Sequence, residues 1–292
     1  MLYLAVSHAS RPFEIVSISD FRRLTPDTSA RAVAIIKHPQ AEADDMSHWI
    51  QGHVVGKHHW TDELYSLRID AAVEPFHAGQ FTRLALDIDG ERVGRPYSYV
   101  NAPEERPLEF YFITIPHGPL TDRLRQLQIG DPIWVGTRPG GFFTLASVPD
   151  ARHLWLFASG TALGVFLSQL KTAEPWRRFS KVVLAHGVRT AGELTYQDDI
   201  ARFTRDHGDR FVYIPFVSRE ETGFALRGRI PEALRDGRLE RRAGIALTAA
   251  TCQVMICGNP DMVRDTTAAL EERGLKKNRR TDPGQITTEN YW

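Results

Sequence analysis

Arg95-Pro96-Tyr97-Ser98-Tyr99 puts a fixed cation, a hydroxyl and two aromatic rings into one short stretch. An arginine offers a planar fork to phosphate oxygens, a tyrosine a flat face to a ring system, and a serine a small donor that a ligand can approach closely. Alternate side chains share a face of a strand, so Arg95, Tyr97 and Tyr99 are expected to point one way and Ser98 the other. This set suits a flavin nucleotide. It equally suits a half-buried strand with one snorkelling arginine.

Four further groups of residues could bind a nucleotide. Gly160-Thr161-Ala162-Leu163-Gly164 follows an apolar run and precedes a helical pattern. Free N–H groups and the helix dipole at such a turn favour a pyrophosphate, and Thr161 adds a hydroxyl; a turn of this kind that binds nothing is also common. Arg189, Arg219 and Arg229 come next, the first two just past strand-like runs and one residue beyond Val188 and Ser218. Converging guanidiniums suit a 2′-phosphate, and hence NADP rather than NAD, although each alone reads as a solvated surface arginine. In Cys257-Gly258-Asn259-Pro260-Asp261, Gly258 permits close backbone approach and Pro260 opens a helix. Cys257 is either a small core hydrophobe or a neighbour of the nicotinamide. The chain stops at Glu289-Asn290-Tyr291-Trp292, whose rings either fill a core gap or stack on flat ligand rings.

The elements that must position these residues fall into two patterns. From about 47 to 147, short alternating runs (Leu64, Leu67, Ile69; Phe81, Leu84, Leu86, Ile88; Leu108, Phe110, Phe112, Ile115) are separated by turn residues, which predicts an antiparallel barrel with one helix at Leu120–Leu127. Past Asp150, strand-like runs at His153–Ala158, Val182–His186, Phe211–Val217 and Val254–Cys257 alternate with helical stretches at Val165–Leu170, Tyr196–Arg205, Pro231–Arg235 and Met262–Arg273. That alternation predicts a doubly wound parallel sheet, in which ligands lie beyond the carboxyl ends of the strands. The expected fold is therefore an antiparallel β-barrel, residues 46–148, followed by an α/β domain, residues 149–292.

Bulk properties exclude several classes. The 292 residues carry 36 Lys and Arg against 36 Asp and Glu, so no global field draws the chain to nucleic acid. The two cysteines, Cys252 and Cys257, sit an odd number of residues apart on one strand and face opposite ways, which argues against a disulfide or a metal cage. No apolar run is long enough to span a bilayer, so the chain is expected to be cytoplasmic. Residues 1–45 lack strong periodicity and read as an upstream extension, with the working protein starting near Met46; a short helix at Ile18–Leu24 is the alternative.

In order, Arg95-Pro-Tyr-Ser, His117-Gly-Pro-Leu-Thr, Gly160-Thr-Ala, His186-Gly-Val-Arg, Ser218-Arg, Gly228-Arg, Cys257-Gly-Asn-Pro and Glu289-Asn-Tyr-Trp resemble the bacterial ferredoxin/flavodoxin–NADP+ reductase family, from about Met46 to Trp292. The resemblance implies FAD in the barrel. Arg95, in its motif with Pro96, would bind the flavin phosphates, Tyr97 would pack on the isoalloxazine and Ser98 would sit near its N5. Tyr111, Phe112 and Ile113 would line the flavin, Pro119-Leu120-Thr121 would face the pyrophosphate, Tyr291 would cover the other flavin face and Trp292 the adenine. Thr161, Arg189, Ser218, Arg219, Arg229 and the loop Cys257-Gly258-Asn259-Pro260-Asp261 would hold NADP(H), with Thr161 touching the flavin side as well. Ser98, Cys257 and Glu289 match the polar trio around the hydride-transfer position.

The same resemblance implies hydride exchange between NADP(H) and FAD, and single electrons passed to or from ferredoxin or flavodoxin. Two cysteines are too few for an iron–sulfur cluster in this chain, so the carrier is a separate protein, and a monomer is expected. Lys276-Lys277-Asn278-Arg279-Arg280 could dock an acidic carrier or form a solvated cluster. Two departures stand out: Gly164-Val165-Phe166 where many relatives carry a proline, and Pro96, whose missing donor predicts an edge or bulged strand. A diaphorase or free-flavin reductase on this fold, and a nucleotide-binding sensor without turnover, are the competing readings.

Overall fold

The structure, a computed structural model, describes Tyr3–Val6, Glu14–Ser17 and residues 48–115 and 118–291. Within the N-terminal stretch it describes β1 (Tyr3–Val6) and β2 (Glu14–Ser17), an antiparallel pair with Tyr3 opposite Ser17. Met46, His117, Trp292 and the alternative helix at Ile18–Leu24 lie outside the described residues. The chain divides into two units, Met1–Trp49 and Ile50–Trp292.

The first large sheet contains β3 (Trp49–His59), β4 (Leu64–Asp70), β5 (Phe81–Ile88), β6 (Glu91–Ser98), β7 (Leu108–Ile113) and β8 (Pro132–Gly136), in the order β6-β5-β8-β3-β4-β7. β3 and β4, β4 and β7, β5 and β6, and β5 and β8 all pair antiparallel. The alternation seen in the sequence places Leu67, Ile69, Leu84, Phe110 and Val135 in one wholly buried core. The edges β6 and β7 meet through a bridge between Tyr99 and Phe110 and a Val100 N–H donated to the Glu109 carbonyl at 2.9 Å, which rolls the sheet into a barrel. Pro96 thus lies on an edge strand, where its missing N–H costs no ladder bond. Tyr97 and Tyr99 pack on the same core, against Phe112 and Phe110 of β7, as expected of one strand face; β6 itself ends at Ser98, and Tyr99 is wholly buried and stacked on Phe76 at 3.8 Å. Ile115, the last of its alternating run, is half exposed.

The predicted helix at Leu120–Leu127 shrinks to α1 (Thr121–Leu124). Beyond it the backbone tightens: Gln126 N–H bonds the Arg123 carbonyl and Leu127 N–H that of Leu124, each three residues back. The Asp131 carboxylate then accepts the Gln128 N–H at 2.7 Å and ends the turn.

The second sheet is parallel: β9 (His153–Ser159), β10 (Lys181–Val188), β11 (Phe211–Val217), β12 (Leu226–Arg227), β13 (Cys252–Gly258) and β14 (Ile286–Asn290), in the order β12-β11-β10-β9-β13-β14. The helices are α2 (Leu163–Leu170), α3 (Glu174–Arg178), α4 (Gln197–His207), α5 (Ile230–Arg235), α6 (Arg238–Ala243) and α7 (Pro260–Glu271). A strand buried on both faces feeds two cores. On β9, Leu154, Leu156 and Ala158 enter one while Trp155 and Phe157 enter the other. Cys252 and Cys257 likewise face opposite cores and are unbridged. The elements absent from the sequence expectation are β12, α3, α6 and, with most consequence, β14.

Asn101 joins the two sheets. It is buried; its side chain accepts the Glu109 N–H at 2.8 Å and donates to the carbonyls of Ala102 and Glu105, both at 3.0 Å. Its own carbonyl accepts from Ser168 Oγ of α2 at 2.7 Å. Asn101→Ala removes three bonds and orphans a buried N–H, so it should lower the unfolding free energy by about 3 kcal/mol. Denaturant titration checks this, and a loss under about 1 kcal/mol would show that water replaces the side chain.

Candidate functional site

A cavity of about 390 Å³ opens between the end of β6, the β7 edge and the carboxyl end of β14. Arg95, Pro96, Tyr97, Ser98, Tyr111, Phe112, Ile113, Pro119, Leu120, Thr121, Thr161 and Tyr291 all line it, together with Phe81, Ile115, Gly118, Glu289 and Asn290. Its walls are largely aromatic and aliphatic. Tyr97 is edge-on to Phe112 at 6.1 Å, and burial pushes the phenol of Tyr97 far above its ordinary range. The Arg95 guanidinium bonds the Gly94 carbonyl at 2.8 Å and has no acidic partner among the described residues. Ser98 lines the same cavity as Tyr97 because the strand stops there, so strict alternation ceases to apply. The Thr121 hydroxyl is already engaged, accepting the Ile115 N–H at 3.1 Å and pinning the loop ahead of α1.

The polar trio is organised by the last strand. β14 runs parallel to β13 with Glu289 opposite Cys257 and Asn290 opposite Gly258, and Tyr291 N–H continues the ladder to the Gly258 carbonyl at 3.2 Å. This delivers the Tyr291 hydroxyl beside Ser98 and Cys257, and burial pushes its phenol well above the ordinary range. Cys257 is wholly buried and lines neither this cavity nor the next, with the Tyr291 phenol beside it. Burial and the neighbouring Glu289 carboxylate push the thiol well above its usual range, leaving it a neutral acceptor and donor rather than a nucleophile. Burial also raises the Glu289 carboxyl to about 7.

A second cavity, about 510 Å³, lies beyond the carboxyl ends of β9, β10, β11 and β13. Thr161 and Ile113 line both cavities, so the two adjoin. Arg189, Ser218, Arg219, Arg229, Asn259 and Asp261 converge on the second, with Gly160, Gly187, Met262 and Asp265. The three arginines are not equivalent. Arg189 is held by Glu63 at 3.1 Å and Glu193 at 3.2 Å, whereas Arg219 and Arg229 have no ion-pair partner among the described residues. The Ser218 hydroxyl donates to the Val188 carbonyl at 3.1 Å.

Gly258 and Pro260 of the predicted loop serve packing and do not line this cavity, while Asn259 does both. Gly258 has φ +140°, and a Cβ there would lie 2.2 Å from Ser159 Oγ. The glycine is needed so that Ser159 Oγ can accept the Asn259 N–H at 2.9 Å. Asn259 Oδ1 then accepts from Asp261 N–H at 2.9 Å and caps α7, which Pro260 opens at its first position.

A third concavity, about 950 Å³, shares Glu289 with the first. Lys277, Arg279 and Arg280 form one side and Phe142 the other; Phe142 is 90% exposed. Sequence reasoning missed Phe142, since nothing in an apolar Phe142-Phe143 pair reveals which ring is outside. It missed Glu63 as well, whose partner lies 126 residues away. Among the described residues no helix is long and apolar enough to cross a membrane, and no cluster of His, Cys, Asp and Glu could hold a metal ion.

Comparison with known proteins agrees with this geometry. A family model described as an oxidoreductase NAD-binding domain matches residues 156–268. A flavodoxin/ferredoxin–NADP reductase from Escherichia coli is 44% identical over 248 residues, 85% of this chain and all of that protein. A ferredoxin–NADP reductase from Pseudomonas aeruginosa is 36% identical over 256 residues, 84% of this chain and 98% of the relative. Among solved structures, a ferredoxin NADP+ reductase from Neisseria gonorrhoeae with bound FAD and NADP superposes with a TM-score of 0.80 at 31% identity, covering 84% of this chain and 99% of that one.

The raised carboxyl of Glu289 makes a pH prediction. Protonated, the group sits in its dry position without penalty; ionised, it does not. Its contribution is therefore fully present below the unfolded carboxyl range near 4.5 and lost as pH rises through about 7. Glu289→Gln should abolish this fall, so the melting temperatures of variant and native chain should diverge progressively from pH 5 to 7.5. Parallel melting curves across that window would refute the raised carboxyl.

Proposed function

The chain belongs to the flavodoxin/ferredoxin–NADP reductase family, and from that premise we propose that it exchanges hydride between NADP(H) and FAD, and single electrons with ferredoxin or flavodoxin. The observation that carries the reading is the junction of two cavities at Thr161 and Ile113, one walled by aromatic rings and one edged by arginines.

The first cavity fits FAD: Tyr97 and Tyr291 supply flat faces, and Arg95 a guanidinium without an acidic partner, suited to its phosphates. When bound there, FAD supplies hydride acceptance and release of electrons one at a time. The protein's part is position and electrostatics. Ser98 and Tyr291 place two hydroxyls on the wall of the cavity, with Glu289 able to gain or lose a proton near neutral pH. A nicotinamide entering from the second cavity must displace the Tyr291 phenol to reach Ser98 and Cys257. Residues 46–148 would thus serve the flavin and 149–292 the dinucleotide, with β14 returning Tyr291 to the flavin side. Both cavities are completed within one chain, which supports a working monomer.

Arg219 and Arg229 are the candidates for the 2′-phosphate, since both line the second cavity and neither guanidinium has an ion-pair partner among the described residues. Anaerobic titration should bleach the flavin with NADPH well before NADH. Arg219→Ala with Arg229→Ala should erase most of that preference, on the order of 100-fold; an unchanged ratio would refute the assignment. A flavin that neither nucleotide bleaches would favour the sensor reading.

For the carrier, the third concavity pairs Lys277, Arg279 and Arg280 with an exposed ring beside Glu289. Basic charge speeds encounter with an acidic partner, and an exposed aromatic is a frequent anchor. Reversing Lys276, Lys277, Arg279 and Arg280 should slow carrier reduction steeply at low salt, and Phe142→Ala should weaken it at all salt concentrations. NADPH oxidation with a small dye should be unaffected by either. Equal loss in both assays would sink the docking surface.

A further inference from the structure

His186 is wholly buried at the carboxyl end of β10, and hydride exchange as described gives it no part. It lies opposite Ala158 of β9 and Pro215 of β11, directly beneath the turn that begins at Gly160. Its Nε2 is 3.0 Å from the Gly160 carbonyl and its Nδ1 is 3.4 Å from the Tyr213 hydroxyl. A carbonyl can only accept, so the ring proton sits on Nε2 and Nδ1 accepts from Tyr213. The ring is held in that pose. Beside Tyr213 lies Gln197, whose amide donates to the Thr195 carbonyl at 3.3 Å. Burial depresses the imidazole to about 4, which keeps this neutral form at working pH.

The consequence comes from peptide geometry. In a trans peptide the C=O and the following N–H point in opposite directions. A Gly160 carbonyl drawn down onto a buried imidazole therefore sends the Thr161 N–H away from it, on the side of the turn where Gly160 and Thr161 line the second cavity. Gly160 adopts φ +55°, a conformation that costs a glycine little. Successive N–H groups turned outward in such a loop form an anion-binding concavity. Leu163 N–H shares the same carbonyl. Without His186 the turn keeps one of its restraints and tilts rather than collapses.

Resting on the NADP(H) reading above, we propose that His186 is a positioning residue for the dinucleotide, aiming the Thr161 N–H at its pyrophosphate by holding the Gly160 carbonyl from below. It acts on the pyrophosphate end of the ligand and leaves the 2′-phosphate end to Arg219 and Arg229.

The test uses the FAD-loaded enzyme and two probes, NADP+ and 2′-phospho-AMP, which carries the 2′-phosphate but no pyrophosphate. His186→Phe should raise the Kd for NADP+ about tenfold, the order of one lost hydrogen bond, while 2′-phospho-AMP changes less than about twofold. KM for NADPH should rise by the same factor as the Kd, and kcat much less. His186→Gln, whose amide reaches the Nε2 position, should restore most of the affinity, and His186→Asn, which reaches only Nδ1, should not. Equal weakening of both probes would mean a general disturbance of the fold and would overturn the proposal, as would an unchanged NADP+ affinity. If His186→Phe does not fold with its flavin, the Gln and Asn pair decides: equal affinities in the two overturn it. A native enzyme that binds neither probe would instead remove the dinucleotide reading itself, and this inference with it.

Discussion

The parallel ladder between β13 and β14 is the constraint on which the site depends. Backbone bonds fix register absolutely, and here they place Glu289 beside Cys257 and carry the chain on to Tyr291. A terminal segment would ordinarily fray. As the edge strand of a six-stranded sheet it is tied residue by residue to β13, and the phenol just past it is delivered beside Ser98 and Cys257. The flavin-side cavity is therefore closed by residues nearly two hundred positions apart in sequence, Ser98 and Tyr291.

Desolvation sets the chemistry of that spot. Glu289, Cys257 and Tyr291 are each shifted toward the uncharged form, with burial the leading cause in every case. A neutral carboxyl, thiol and phenol together present hydrogen bonds without a fixed charge. The second cavity is the reverse: it gathers fixed cations at strand ends, where no such burial is imposed. A dinucleotide spanning both would meet charge at its phosphates and neutrality at its ring.

Much of this was legible in the sequence. The buried runs at His153 and Phe211 announced a parallel sheet because a strand covered on both faces has no polar period to hide it. Arg95 to Ser98, Thr161 and Arg219 stand out by their side-chain chemistry, and the structure places them along two adjoining cavities. What was not legible depended on tertiary context. Ile286-Thr-Thr-Glu-Asn has a strand's β-branched character, but only the vacated edge of β13 makes it a strand. That the Tyr291 phenol lies beside Cys257 was not legible, because a residue's position on a strand says nothing about what covers its end. Nor was the close approach of Ser159 to Gly258, which the fold itself requires.

Arg189 has one more consequence. It bridges Glu63 of the barrel and Glu193 of the α/β sheet, so any ligand that takes this guanidinium must first evict carboxylates. Binding there is an exchange of anions, not the filling of a waiting cation. Arg189 and Glu63 are both about half exposed, so that bridge contributes roughly 0–1 kcal/mol. What the two carboxylates fix is the direction of the guanidinium, held across the join between a barrel turn and a turn of the α/β half.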